Sequence, residues 1–153
     1  MRIREFPSRS NFCDLARSHN VIPVCAEILA DTDTPVSLLR KIYDGNGPAF
    51  LLESVEGGER WGRYSFLSTS ARCHVRVYQE TVEVIENGST LQIPHLNDPL
   101  AVLRELMSRY RPARVPGLPR FWGGLVGYLT YEMVSFFEKI PNLLPPDRPV
   151  AHF

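Results

Sequence analysis

The stretch from Arg72 to Ile93 most narrows what this chain can fold into. Residues 72–78 (RCHVRVY) and 81–86 (TVEVIE) alternate apolar and polar side chains. That is the pattern of half-buried antiparallel strands. Asn87-Gly88 then gives a tight hairpin turn into residues 89–93, because both positions tolerate the left-handed backbone such a turn needs. The chain is therefore expected to be α+β, with mainly antiparallel strands and three or four helices. It lacks the strand–helix alternation of a doubly wound nucleotide-binding sheet. Its 153 residues suit one domain, or two only if both are small.

The helices announce themselves by their first turns. Thr34 is a helix N-cap with Pro35 at the first helical position, where a missing N–H costs nothing. Leu38, Leu39 and Ile42 then share one face. Gly45-Asn46-Gly47-Pro48 stops that helix. Asp98-Pro99 repeats the device, and Leu100, Leu103, Leu106, Met107 and Tyr110 follow at helical spacing. Residues 10–18 read as a short helix with Phe12, Leu15 and Ala16 on one side. Residues 21–29 (VIPVCAEIL) read as an edge strand, since Pro23 cannot donate to a ladder. Residues 111–120 read as a loop, 121–129 (FWGGLVGYL) as a buried strand and 130–139 (TYEMVSFFEK) as a helix. The segment PNLLPPDRPVAHF holds four prolines in thirteen residues. Its final Ala151-His152-Phe153 reads as the start of a strand that lies beyond it.

Composition excludes several function classes. Seventeen Lys+Arg balance seventeen Asp+Glu, so neither nucleic-acid binding by bulk charge nor a polybasic membrane surface is expected. Cys13, Cys25 and Cys73 are widely spaced, with no CxxC pair and no Cys/His cluster. Neither a zinc site nor a disulfide framework is suggested, and reduced thiols in a cytoplasmic protein are expected. The first twenty residues are charged throughout and do not read as a secretory signal. No apolar run approaches the ~18 residues needed to span a bilayer.

Common catalytic signatures are missing: there is no GxGxxG after a strand, GxxxxGK[ST], HExxH or GxSxG. Gly123, Gly124 and Gly127 lie among aromatic and apolar residues without Lys or Ser/Thr. They are better read as glycines that let a strand pack closely than as a phosphate loop. His19, His74, His95 and His152 are scattered, and His74 in a strand suits solvent or a satisfied neighbour better than a metal. Glu132 could act as acid or base, or simply pair an ion on a helix.

The most informative stretch is Phe50-Leu51-Leu52-Glu53-Ser54. An apolar strand emerges here onto a carboxylate and a hydroxyl. After a charged, glycine-containing turn, Arg63-Tyr64-Ser65-Phe66 begins a return strand. The two strands would gather Glu53, Ser54, Arg63 and Ser65. Glu53 and the Ser54 hydroxyl suit an ammonium group, Arg63 a carboxylate and the apolar neighbours a side chain. The set can bind a zwitterion; ordinary turn polarity is the alternative.

PVCAEILADTDTPVSLLRKI, AFLLESVEGGERWGRYSFL and FWGGLVGYLTYEMVSFFEKIP together closely resemble the N-terminal region of anthranilate synthase component I, the large subunit of a chorismate-utilising enzyme. The resemblance covers about residues 10–153. It implies a β-sandwich with flanking helices, completed by the C-terminal part of the family's chain. It implies a regulatory region carrying the L-tryptophan feedback site, with Ser54 as its hallmark residue and Leu52 and Glu53 beside it. Arg63 and Ser65 join that set by charge and position. The resemblance gives residues 1–153 no catalytic residues, no metal ligands and no chorismate-binding domain, so this chain alone is not expected to convert chorismate. In the complete enzyme, with Mg2+, chorismate would be aminated and would lose pyruvate to give anthranilate. A glutamine amidotransferase subunit, component II, would supply the ammonia. The large subunit of aminodeoxychorismate synthase, or a non-catalytic docking subunit of a split chorismate enzyme, are the alternative readings.

Overall fold

The computed structural model describes residues 4–53, 64–141 and 144–153. They fall into two compact units. One comprises residues 29–72; the other joins residues 1–28 to 73–153. Every strand pair in both is antiparallel, so the α+β expectation holds.

The elements run β1 (Arg4–Phe6), α1 (Arg9–Leu15), β2 (Cys25–Glu27), α2 (Pro35–Ile42), β3 (Phe50–Leu52), β4 (Phe66–Ser68), β5 (Cys73–Val77), β6 (Thr81–Glu86), β7 (Ser89–Pro94), α3 (Pro99–Ser108), β8 (Tyr128–Leu129), a 3-10 helix (Tyr131–Phe136) and β9 (Ala151–His152). The main sheet of the larger unit is five-stranded, in the order β7-β6-β5-β9-β8.

That sheet follows from its alternation. Val75 and Val77 of β5, Val82 and Val84 of β6, and Ala151 of β9 are buried on one face. Leu103 and Leu106 of α3, Met133 of the 3-10 helix and Val150 complete this core. The opposite face carries His74, Arg76, Glu83 and His152, as the period of two requires. Between β6 and β7, Asn87 and Gly88 take φ values of 52° and 76°, the doubly left-handed backbone expected of the Asn-Gly turn. Asp98 caps α3, its Oδ1 accepting from the Ala101 N–H at 3.0 Å.

His95 is buried, with both ring nitrogens engaged. Its Nδ1 accepts from the Asn97 N–H at 3.1 Å. Its Nε2 lies 3.1 Å from the Tyr78 carbonyl, which fixes the proton on Nε2. The ring meets Phe136 edge-on at 5.2 Å. His95→Leu orphans a backbone donor and an acceptor together. It is expected to cost about 2 kcal/mol, measured as a lowered urea midpoint at constant m.

Asn20 ties the segment after α1 to the loop after α3. Its Nδ2 donates to the Arg109 carbonyl at 2.7 Å, and its Oδ1 accepts from the Arg111 N–H at 2.6 Å. Val21 bridges Pro112 beside it. Of the expected strand 21–29, only Cys25–Glu27 forms, paired to β1. The Pro23 break accounts for the shortening.

Two expectations need correction. Residues 121–127 are not a strand. Gly124 takes a φ of 144°, and Gly123-Gly124 offer no side chains to bury. Only Tyr128–Leu129 pairs, and both residues are more than half exposed, at 57% and 54%. The helix expected at 130–139 is a six-residue 3-10 helix. Its N-cap, Thr130, spends its hydroxyl on the Val150 carbonyl at 3.0 Å, leaving the first turn without a side-chain cap. Ala151-His152 does begin a strand, as expected: it is β9, seated between β5 and β8. The close-packing glycine is Gly127. An added Cβ there would collide with the His152 carbonyl oxygen and come within 2.7 Å of the Phe153 Cα.

Candidate functional site

In the smaller unit, Thr34 and Pro35 start α2 as expected. The Thr34 Oγ1 accepts from the Ser37 N–H at 3.1 Å, and the Ser37 Oγ accepts from the Thr34 N–H at 2.9 Å. This reciprocal capping satisfies two amides of the helix start. The Asp33 carboxylate accepts from the Lys41 Nζ at 2.6 and 2.9 Å and from the Ser37 Oγ at 2.9 Å. Lys41 first, then Ser37, hold its carboxyl below the ordinary carboxylate range. Thr34→Ala removes the cap and is expected to cost about 1 kcal/mol, read from thermal unfolding.

α2 packs on β3 and β4, which pair as the sequence predicts. Phe50 stands opposite Ser68, Leu51 opposite Leu67 and Leu52 opposite Phe66. Alternation places Leu52 and Phe66 on one face and Leu51 and Leu67 on the other. Tyr64 reaches Phe66 on the first face, with ring centroids 6.1 Å apart. Leu52, at 46% exposure, therefore sits at an aromatic edge. Continued by one residue, the register sets Glu53 opposite Ser65, both exposed.

The structure thus brings Leu52, Glu53 and Ser65 to one end of the hairpin, with Leu52 on the face opposite to Glu53 and Ser65. Ser54 and Arg63, with the turn between them, lie outside the described residues. The aromatic pair Tyr64 and Phe66 was absent from the predicted site set. The polar–aromatic alternation of Arg63-Tyr64-Ser65-Phe66 was the signal for it. A surface hollow lined by Thr34, Val36, Ser37, Arg40 and Lys41 includes none of the described site residues Leu52, Glu53 and Ser65.

Among the described residues, no three His, Cys, Asp or Glu side chains gather where they could hold a metal ion. The magnesium that the resemblance implies for the complete enzyme has no ligand set among them. Cys13, Cys25 and Cys73 form no disulfide. None of the described helices is long and apolar enough to cross a membrane.

Within the described part of residues 29–72, no residue is buried. A two-stranded ladder and one short helix do not ordinarily stand alone in water. Fold and hairpin together define an α+β module with a polar rim beside an aromatic edge, and with a smaller unit that has little core of its own.

No family model matches the chain. Its relatives are nevertheless plain. It is 40% identical over 131 residues to anthranilate synthase component 1 of Aquifex aeolicus, covering 86% of this chain and 26% of that protein. It is 42% identical over 145 residues to the Pseudomonas putida protein of the same name, covering 94% and 29%. With the Acetivibrio thermocellus protein it shares 36% over 151 residues, covering 97% and 30%. The chain is a relative of anthranilate synthase component 1 over most of its length, and it spans under a third of the length of these proteins.

Proposed function

We propose that this chain is the regulatory part of an anthranilate synthase component 1 and binds L-tryptophan at the open end of the β3–β4 hairpin. The similarity across 84–97% of the chain supports the reading. The antiparallel β3–β4 register, which sets Glu53 beside Ser65, supports the place. In this reading Glu53 and Ser54 take the ammonium group, Arg63 takes the carboxylate, and the side chain lies against Leu52 with Ser65 at the rim.

Exposed Glu53 gives only a weak ion pair by itself. The site gains affinity when more of the polypeptide covers it and excludes water. Tryptophan then inhibits by binding one conformation of the complete enzyme better than another. That enzyme would work in the cytoplasm, converting chorismate to anthranilate and pyruvate with ammonia from a glutamine amidotransferase partner.

Isothermal titration of the complete protein with L-tryptophan, with L-phenylalanine as control, tests this. Saturable heat from tryptophan alone is expected, and a weaker response of the same selectivity from this chain by itself. No heat from the complete protein would overturn the reading. Arg63→Ala should weaken binding by about 1–3 kcal/mol if its guanidinium holds the carboxylate. Unchanged affinity would retire that assignment.

A further inference from the structure

We propose that His152, His74 and Arg76 form an acid-sensitive latch on the five-stranded sheet. Protonating His152 beside the Arg76 guanidinium would loosen β9 from β5 and free β8 with it. All three side chains lie on the sheet face opposite the valine core. Arg76 is the direct cross-strand partner of His152, and His74 lies diagonally across, its ring centroid 6.2 Å from that of His152. Tyr128 of β8 faces His152 from the other side, with centroids 6.3 Å apart.

Glu83, on β6, is the carboxylate of this row, and it is already engaged. It accepts from Arg76 Nη1 at 3.1 Å and from Gln92 Nε2 at 3.3 Å. Protonation of His152 would therefore set an imidazolium beside a guanidinium, and among the described residues the carboxylate of this row is already taken. Like charges on facing strands destabilise their pairing.

Main-chain bonds join β9 to β5 under this cluster. The Val150 N–H donates to the Val77 carbonyl at 2.7 Å, the Phe153 N–H to the Val75 carbonyl at 2.8 Å, and the Val75 N–H to the Phe153 carbonyl at 2.8 Å. Among the described residues, β8 meets the sheet only through β9. Burial first, then Arg76 and His74, hold the His152 imidazole below its ordinary 6.5. The unfolded chain thus binds the proton that the folded chain refuses. Stability is complete above pH 6.5 and falls as pH drops through the folded-state value.

Amide hydrogen exchange of the protein at pH 7.5 and pH 5.5, corrected for intrinsic rates, tests the latch. Protection of the Val150, Phe153 and Thr130 amides should fall about threefold or more at pH 5.5, while the β6–β7 ladder keeps its protection. His152→Gln should abolish the difference. An equal loss along the whole sheet, or an undiminished one in that variant, would overturn the proposal. Imidazole NMR of the unaltered protein gives a check free of folding defects. His152 must gain its proton over the pH range where exchange accelerates, and titration outside that range would also overturn the latch.

Discussion

Gly127→Ala is expected to destabilise the larger unit by about 3 kcal/mol, out of proportion to one methyl group. The reason is what the methyl would meet. Its atoms would collide with the His152 carbonyl oxygen and approach the Phe153 Cα and Cδ1. Two of the three obstacles are main-chain atoms, which cannot swing aside like the end of a long side chain. Relief requires β8 to retreat from β9 or β9 to shift against β5, and either move disturbs the buried Val150–Ala151 pair. Gly123→Ala is the matched control. An added methyl there meets nothing within 4 Å, so the change should stay within ~0.5 kcal/mol. Urea unfolding of both variants measures the difference. Equal midpoints would mean that the β8–β9 contact yields without cost.

Ser54→Phe, in the complete enzyme, is expected to abolish inhibition by L-tryptophan and leave catalysis largely intact. The argument rests on the proposed function. An aromatic ring in place of a small hydroxyl removes a hydrogen-bond partner for the ammonium group and fills the space beside Glu53. The loss in tryptophan affinity should reach on the order of a hundredfold. The measurement is initial rate against tryptophan concentration, with and without the substitution. Equal loss of inhibition and of uninhibited rate would contradict a regulatory role for the position.

Local chemistry made part of this fold legible in advance. Thr34-Pro35 and Asp98-Pro99 were read as helix starts because a cap and a proline act within one turn. The valines of β5 and β6 were read as a sheet face because alternation needs no knowledge of the partner strand. The failures share a different cause. The place of Ala151-His152 between β5 and β8 is decided across the fold, and no local pattern carries that information. Residues 121–127 looked apolar enough for a strand, yet a glycine at positive φ and another pressed against β9 override the composition. At Thr130 the hydroxyl left the cap for the Val150 carbonyl, so the helix form was decided across the fold. At the candidate site, the pairing of residues 50–52 with 66–68 was legible from two apolar runs flanking a turn. The aromatic edge of Tyr64 and Phe66 was not legible, because it shares a face with Leu52 only through the β3–β4 register.

The strand order β7-β6-β5-β9-β8 also bears on how this chain comes off the ribosome. The β5–β6–β7 meander uses neighbours only and can close once Pro94 has emerged. β8 is made before β9 yet has no place in the sheet until β9 arrives. Pairing of Val77 with Ala151 must wait for the whole intervening stretch to be synthesised, at roughly 5–20 residues per second. For those seconds the apolar side of β5 lies open beside an unfilled strand position. That interval is when a nascent chain of this kind most needs a chaperone's cover.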